Sequence, residues 1–579
     1  MTTHIPFPDP ANIKNYPTDR KAVMIWKNNI IRVVERQYYR DNSKKGGCEK
    51  RTYLGYVVDN CYYSTEEYQS IYMRNRKKRL VSFTKKSPSE QVGALTRKVA
   101  AEIPIYHAIA KDIGLVDDLT SVWGSEKANA ILSIAYHWLN TSSNAAYLYN
   151  TWSLQRILPY KESMCSKKIS LLFENIANTD GWRKNFFGAR VARLPEKEML
   201  SFDATEIASN AAEISYAQWG VGKEGGYQKQ VGLILLMGHK THMPVLFRVL
   251  PGNITDVTTV QDMLFRFDTL SDEHRVFGAV VDRGYFSLAN LARFVDAGSR
   301  VIMAAKTNVK WIRDAIDKSV SDLYSHATHI PGDSCWGCTV PVEPKFDDGI
   351  KRKLWVHVYR SDLKSHNENT QFYNDLMDFE REWLNWTPKF KGETVKTCYL
   401  RNSPMMKYFI PDCGIPGVSP LVEDYNAIDS ATRYFGIFCN VTTMECSARD
   451  ALSTYRTRDL IEKAFKSGKS DLQLDVSRSH NDSTLEGRFV VGFVALSILT
   501  RLRTIMKEDS LVKTAKEFKR MQPLGNEITF NELKNSLSAV SVVYDNEGIG
   551  HWEEVTQKQH MIAARLGFPD VYKTLPDWV

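Results

Sequence analysis

The sequence predicts a multidomain α/β protein whose centre is a mixed β-sheet covered by helices. The main observation is a regular alternation of apolar strands and amphipathic helices between Glu198 and Asn308. Its order, three strands followed by helix, strand, helix and strand, is that of a meander continued by crossover units. The chain has 579 residues, 43% of them hydrophobic and 25% charged, which is enough for several domains with sizeable cores.

Residues 1–88 predict a basic, β-rich N-terminal region. The runs IIRVVERQYYR and TYLGYVVDN flank DNSKKGG, which suits a hairpin turn. The first hundred residues contain 20 Lys and Arg against 9 Asp and Glu, and the densest run is RNRKKR, Arg74 to Arg79. Such a run is suited to phosphate contacts, although a solvated loop or helix end stays an alternative.

Residues 89–579 predict five further regions. Residues 89–195, with ALTRKVAAEIPIYHAIAKDIGL, predict a helical domain, and residues 196–308 predict the first part of the central sheet. In that part EMLSFDATEI is the first strand, QVGLILLMG and MPVLFRVLPG are a hairpin pair, TTVQDMLFRFDTL is a helix, VFGAVVD is the fourth strand, FSLANLARFVDAG is a helix, and RVIMAAKTN is the last strand. Short apolar runs and tryptophans over residues 309–447 predict a β-rich insertion domain. Residues 448–506 predict the second part of the core, and residues 507–579 a helical C-terminal region.

Composition limits the class of protein. The apolar run Phe489–Leu499 is too short to span a bilayer and predicts a buried helix. The N-terminus has no signal-peptide pattern, and the nine cysteines are mostly scattered, so we expect a soluble protein in a reducing, cytoplasmic compartment. The net charge of +9 permits a polyanionic partner.

Two aspartates occupy informative positions. Asp203 lies inside the first strand, and Asp282 ends the fourth. A carboxylate in an apolar strand is costly unless it is paired or binds a metal, and active sites of open α/β sheets collect near strand ends. If the two strands are neighbours, the carboxylates meet at one edge, although each aspartate alone is equally a turn or capping residue.

The stretch YRTRDLIEKAFKSGK places Tyr455, Arg458, Glu462 and Lys469 on one side of a continuous helix. The opposite side would be apolar and face a core. A solvated polar face is the alternative interpretation. If Glu462 joins the two aspartates, three carboxylates could hold two hard divalent cations and support phosphoryl transfer.

These residues resemble the motifs of DDE transposases of the insertion-sequence-4 group. The spacing of Tyr455, Arg458, Glu462 and Lys469 matches that group's Tyr-(2)-Arg-(3)-Glu-(6)-Lys signature, VVDRGY and SFDAT resemble its aspartate motifs, and GNITD resembles the turn before its first helix. The hairpin near the N-terminus and HWEEVTQKQHMIAARLGF resemble the insertion-sequence-1634-like branch.

The resemblance implies an RNase H-like core in which Asp203, Asp282 and Glu462 bind two Mg²⁺ (or Mn²⁺) ions and catalyse DNA cleavage. It implies that Tyr455, Arg458 and Lys469 contact DNA, with Lys469 in doubt because Ser467 and Gly468 suggest that the helix frays there. The expected partners are double-stranded DNA, as terminal inverted repeats and target, and a second copy in a homodimer. The implied reaction frees 3′-OH ends, through a hairpin intermediate, and transfers them to target DNA at the nucleoid.

Two alternatives stay open: an RNase H-like DNA nuclease without strand transfer, and a domesticated DNA-binding protein. A zinc site is a further candidate, because His326, His329, Cys335 and Cys338 form HxxH followed by CxxC. Exposed loop residues and reduced thiols are the other interpretation. The tryptophans of the insertion are expected mostly in its core, with one of them a candidate for stacking on a displaced base: Trp311, Trp336, Trp355, Trp383 and Trp386.

Overall fold

A computed structural model describes residues 8–18, 22–27, 30–40, 47–58, 60–68, 97–196, 198–221, 226–253, 278–332, 334–388, 394–509, 522–545 and 548–579. The chain divides into two compact units, Met1–Thr96 and Arg97–Val579. The basic run RNRKKR, the predicted helix TTVQDMLFRFDTL and the end of GNITD lie outside the described residues. Elements are numbered below in chain order.

The first unit contains an antiparallel sheet with the order β1-β2-β3-β4. Its elements are Ala22–Lys27 (β1), Ile30–Arg40 (β2), Gly47–Val58 (β3), Cys61–Ser64 (β4) and the short helix Thr65–Tyr68 (α1). The predicted hairpin is confirmed, since β2 and β3 pair antiparallel from Arg40 and Gly47 at the turn. Its small core is formed by Ile13, Val33 and Val57.

The second unit begins with a short strand, which the sequence did not predict, and continues with helices in the region predicted to be helical. These elements are Arg97–Val99 (β5), Ile103–Asp112 (α2), Leu115–Thr141 (α3), Ala146–Leu154 (α4), Ser166–Ala177 (α5) and Trp182–Ala192 (α6). Their apolar side chains belong to the same hydrophobic cluster as the central sheet. The helical region therefore shares its core with the sheet.

The predicted central sheet is confirmed. Its strands are Met199–Ala208 (β6), Gln218–Val221 (β7), Tyr227–Gly238 (β8), Pro244–Pro251 (β9), Gly278–Val281 (β10) and Arg300–Ala305 (β11). Strands β6, β8 and β9 form the antiparallel meander, while β10 pairs parallel with both β6 and β11. The helix Leu288–Asp296 (α7) connects β10 to β11 and begins at Ser287, whose side chain accepts a hydrogen bond from the Asn290 N–H.

The inserted stretch differs from the prediction of a separate β-rich domain. Its elements are Lys310–Ser319 (α8), His329–Ile330 (β12), Cys335–Val342 (β13), Leu354–Ser361 (β14), Asp362–Leu384 (α9), Tyr425–Thr432 (α10) and Ile437–Thr442 (β15). The strands continue the central sheet, in the order β12-β13-β14-β15-β11, instead of closing a sheet of their own. The longest element is the 23-residue helix α9. Around it lies a separate small core that includes Leu376, Trp383 and Phe409.

The chain then returns to the core. The elements are Ala448–Arg456 (α11), Asp459–Ser470 (α12), Asp482–Glu508 (α13), Leu524–Glu527 (α14), Phe530–Leu537 (α15), Ser541–Tyr544 (β16), Gly550–Trp552 (β17) and Gln557–Arg565 (α16). The C-terminal region is not only helical, because β16 pairs with both β17 and β5.

The predicted buried helix is confirmed within α13. Among the described residues, α13 is the one helix long and apolar enough to meet the length and composition test for a membrane span. Its side chains from Phe489 to Leu499 are buried in the protein. A capping box between Asn481 and Thr484 fixes its first turn. The helix is therefore a core element.

Candidate active site

The register of the central sheet brings the two predicted aspartates together. Strands β6 and β10 are parallel neighbours, with Ser201 paired to Val280. Continuing that register by two residues places Asp203 level with Asp282. Side chains level with each other on adjacent strands point to the same face. The condition on which the two carboxylates would meet, that the first and fourth strands are neighbours, is therefore met.

Helix α12 brings Glu462 to the same face. Of the three apolar residues predicted to face the core, Ile461 and Ala464 are buried and Leu460 is half-buried. Thr205 and Ile207 of β6 line one apolar pocket together with Ala464 of α12. The helix therefore packs over the strand that contains Asp203.

The stretch from Tyr455 to Lys469 is not one continuous helix. Helix α11 ends at Arg456 and α12 begins at Asp459. Between them the Arg458 N–H donates to the Tyr455 carbonyl at 3.0 Å, a bond between residues three apart that is typical of a tight 3₁₀ turn. The prediction of a single helical face was therefore wrong, because a tight turn changes the rotation between Tyr455 and Glu462.

The guanidinium of Arg458 lies among the three predicted acids. Its Nη1 is 3.9 Å from Asp203 Oδ2 and 3.3 Å from Asp282 Oδ2. Its Nη2 is 2.5 Å from Glu462 Oε1. The structure thus gathers three carboxylates, from β6, from the end of β10 and from α12, around one cation, which lies in the turn before α12.

Electrostatics hold this cluster together. Burial alone would lower the pKa of Arg458, but Tyr455 and the three carboxylates outweigh it and raise that pKa. Only 15% of the Arg458 side chain and 14% of the Asp203 side chain are exposed, so water screens that pair weakly. Asp282 and Glu462 are 37% and 53% exposed, so their pairs with Arg458 are screened more strongly. Three carboxylates against one guanidinium still leave an excess of negative charge.

Tyr455 joins the cluster through its hydroxyl group. Its ring packs on Met199, Val280 and Ile302 from three adjacent strands. Its O–H donates to Asp282 Oδ1 at 3.2 Å. Burial, the first of several causes, raises the pKa of Tyr455 far above the usual value, so the phenol stays protonated and remains a donor.

The predicted fraying of α12 at Ser467 and Gly468 was wrong. The helix continues to Ser470, and both residues are buried. Lys469 lines the apolar pocket beneath the helix, together with Phe465 and Leu474. It lies seven residues from Glu462, which is about 10 Å along a helix.

The acids fit divalent cations in donor chemistry. Among the described ranges, no three His, Cys, Asp or Glu side chains stand close enough to hold a metal ion. At the predicted site, the guanidinium of Arg458 lies between the carboxylates. Oxygen donors from three carboxylates are what hard cations such as Mg²⁺ prefer. The residues therefore suit such ions once Arg458 is displaced.

The zinc candidate has no support from the geometry. Cys335 and Cys338 lie three apart on β13, so their side chains point to opposite faces of the strand. Cys335 is buried in a cluster with Tyr359 and Leu452, whereas Cys338 packs against the main core. A pair on opposite faces cannot chelate one ion.

A basic cleft of about 1130 Å³ adjoins the acids, and sequence reasoning missed it. It begins at Asp282 and Tyr455. Six cations line it: Arg283, Lys306, Arg313, Lys364, Lys407 and Arg433. Lys306 directly follows β11, and ligands collect at strand ends, so the sequence could have indicated a basic residue at this edge of the sheet. The aromatic lining residues are tyrosines and phenylalanines, and the five tryptophans singled out from the sequence are not among the residues that line it.

A second missed contact involves His239, to which the sequence gave no role. Its Nδ1 hydrogen-bonds with the hydroxyl of Thr457, in the turn between Tyr455 and Arg458. Burial, with His242 and Lys240 nearby, lowers the pKa of His239. The neutral ring therefore supports the turn that positions Arg458.

Comparison with known proteins identifies the class. Residues 194–498, more than half of the chain, match the model of the transposase DDE domain family. The chain belongs to this family, and it is accordingly a transposase, an enzyme that acts on DNA. The match begins just before β6 and ends within α13, so it covers all three acids and the inserted stretch.

Other comparisons are weaker. No curated protein sequence matches the chain. Among solved structures, the chain is similar to the piggyBac transposase of a synaptic complex with hairpin DNA, determined by cryo-EM. The identity is 7% and the TM-score 0.32, over 79% of this chain and 74% of that one.

Proposed function

We propose that the protein binds the terminal inverted repeats of its own mobile element, cleaves the ends and joins the freed 3′-OH ends to target DNA. Hydrolysis would break a phosphodiester bond and leave a 3′-OH. That hydroxyl would attack a phosphodiester bond of the opposite strand, which closes a hairpin on the element end and releases the flanking DNA. Hydrolysis of the hairpin would free the 3′-OH again, and this 3′-OH would then attack a phosphodiester bond of the target and displace a target 3′-OH.

The observation that supports this proposal is the convergence of Asp203, Asp282 and Glu462 on one guanidinium. These carboxylates would hold two divalent cations, Mg²⁺ or Mn²⁺. When bound, such ions supply Lewis-acid stabilisation of the charge that develops on the phosphate oxygens. No covalent intermediate with the protein is required.

The other site residues would orient the DNA. Displaced from the acids, Arg458 would donate charge-assisted hydrogen bonds to the phosphate beside the cleaved bond. The Tyr455 hydroxyl, already 3.2 Å from Asp282 Oδ1, would hold that carboxylate in place or turn to the same phosphate. Lys469 would contact the DNA further along, and the basic N-terminal residues would bind the repeat.

We further propose that the chain belongs to the insertion-sequence-4 group, in its insertion-sequence-1634-like branch, with an RNase H-like core. The spacing from Tyr455 to Lys469 and the sheet order β9-β8-β6-β10-β11 support this assignment. The active form would be a homodimer on DNA. It would be cytoplasmic and associate with the nucleoid.

The acid variants test this proposal. DNA flanking the gene supplies the candidate repeats, and labelled ends are incubated with protein and Mg²⁺. Asp203→Ala, Asp282→Ala or Glu462→Ala should each lower cleavage by about 10³-fold or more, because bound ions supply several kcal/mol of charge stabilisation. Binding of the same DNA, measured by gel shift, should be largely retained.

The neighbouring acid Asp459 on α12 offers a matched control, since Asp459→Ala should leave cleavage close to wild type. Full cleavage by any one of the three acid variants would refute the assignment. Cleavage without any joined product would instead favour a nuclease that lacks strand transfer.

A further inference from the structure

The cleft beside the acids has an unusual distribution of charge. Six cations line it against two carboxylates, Asp282 and Glu368. Two of the cations are neutralised locally: Lys364 pairs with Glu368, and Arg433 Nη2 lies 3.1 Å from Asp317 Oδ1. The other four are exposed and have no ion pair with any residue that the structure describes: Arg283, Lys306, Arg313 and Lys407.

Aromatic rings lie among these cations. The guanidinium carbons of Arg313 and Arg433 are 6.0 and 5.4 Å from the ring centroid of Tyr434, whose hydroxyl is fixed by Asp317. The Nζ of Lys407 is 4.8 Å from the ring centroid of Tyr408. Cations for a backbone and aromatic faces for bases are the two components of sites for single-stranded nucleic acids.

The size of the cleft favours one strand. Pockets for drug-sized ligands have volumes of roughly 300–1,000 Å³. The cleft, with 1130 Å³, is slightly larger than the upper end of that range. A cube of that volume would be about 10 Å on each side, whereas one turn of duplex DNA is about 34 Å long. The cleft therefore has room for a few unpaired nucleotides.

We infer that this cleft binds a short single-stranded DNA segment continuous with the strand that is cut. Because the cleft begins at Asp282 and Tyr455, a strand lying in it extends directly from the acids. Arg313 and Lys407 contact its phosphates, and Tyr408 stacks on a base. This inference rests on the proposed function, since it takes DNA as the substrate.

Fluorescence anisotropy tests the inference with the full chain. The probes are a labelled oligodeoxythymidylate of about 12 nucleotides, within the usual site sizes, and a duplex of the same length. Arg313→Ala combined with Lys407→Ala should weaken single-strand binding at least tenfold. Each lost phosphate contact should also reduce the salt slope by about 0.7, or about 1.4 for the pair. Duplex binding should change much less.

Control variants distinguish binding in the cleft from non-specific attraction of DNA to exposed cations. Lys318 is exposed on α8, the same helix as Arg313, but does not line the cleft, so Lys318→Ala should leave both affinities unchanged. Tyr408→Leu should weaken single-strand binding about tenfold through lost stacking, whereas Tyr408→Phe should keep it. Unchanged melting temperatures exclude misfolding as the cause.

Two results would overturn the inference. One is wild-type single-strand affinity in both the double variant and Tyr408→Leu. The other is equal loss of single-strand and duplex binding, which would make the cleft part of a general phosphate-binding surface. Either result leaves the proposed function standing if the three acids are still required for end cleavage; loss of that requirement refutes the function itself.

Discussion

The acid cluster and the basic cleft meet at Asp282 but treat charge in different ways. In the cluster, three carboxylates share the guanidinium of Arg458, which is largely buried. In the cleft, four of the six cations are exposed and have no carboxylate partner among the described residues. The negative charge of the cluster is therefore partly neutralised by the protein itself, whereas most of the positive charge of the cleft is available to a ligand.

The two surfaces are prepared for ligands in different ways. Carboxylates held by a cation are kept near one another before any ligand arrives, because their mutual repulsion is reduced. Exposed lysines and arginines need no such partner, since water solvates them until phosphates displace counterions. The cluster is therefore expected to respond to metal ions, and the cleft to the strand length and salt concentration of nucleic acids.

The strongest change in metal binding is expected on substitution of Arg458. Arg458→Ala removes the cation that, in the proposed function, competes with metal ions for the same carboxylate oxygens. In the DNA-free protein, calorimetric titration with Ca²⁺ should therefore show affinity at least about tenfold higher, equivalent to roughly 1.4 kcal/mol. Cleavage should nevertheless fall, because the variant lacks the guanidinium that we propose to contact the phosphate.

Tyr455→Phe is the matched control for this measurement. It removes one hydrogen bond to Asp282 but keeps the guanidinium, so Ca²⁺ affinity should stay near that of the wild type. Equal or weaker Ca²⁺ binding by Arg458→Ala would contradict the view that Arg458 competes with metal ions.

A smaller effect is expected at the far end of the same helix. Lys469 lines an apolar pocket and lies about 10 Å along α12 from Glu462. Lys469→Ala should therefore change end cleavage by no more than about threefold, the size of effect usual for a peripheral substitution. A loss in cleavage as large as that of Glu462→Ala would instead place Lys469 among the residues that act at the scissile phosphate.

Much of the core could be predicted because its patterns are local. Strand periodicity located Asp203 and Asp282, and the meander-plus-crossover order made their strands neighbours. The break in the Tyr455–Lys469 helix was not visible, since neither Thr457 nor Arg458 is a glycine or proline and both keep φ and ψ values near those of a helix.

The sheet position of the inserted strands and the basic cleft were not predicted, because both depend on contacts between residues far apart in the chain. The antiparallel contact of Ile302 with Thr442 joins the inserted strands to the core sheet, and no local pattern predicts a pairing over such a separation. The cleft likewise combines residues from β11, α8, α9, α10 and β15. Such a site appears only after the chain has folded.

Replacing the carboxylate of Asp282 by a thiolate tests directly whether this residue binds a catalytic metal, as we propose. Asp282→Cys keeps a negative ligand but makes it soft, which disfavours Mg²⁺ relative to a softer ion such as Mn²⁺. End cleavage by this variant should be lost with Mg²⁺ and partly restored with Mn²⁺, whereas Asp282→Ala should stay inactive with both. Equal cleavage by Asp282→Cys with the two ions, or restoration of Asp282→Ala, would contradict the claim that Asp282 binds a catalytic metal.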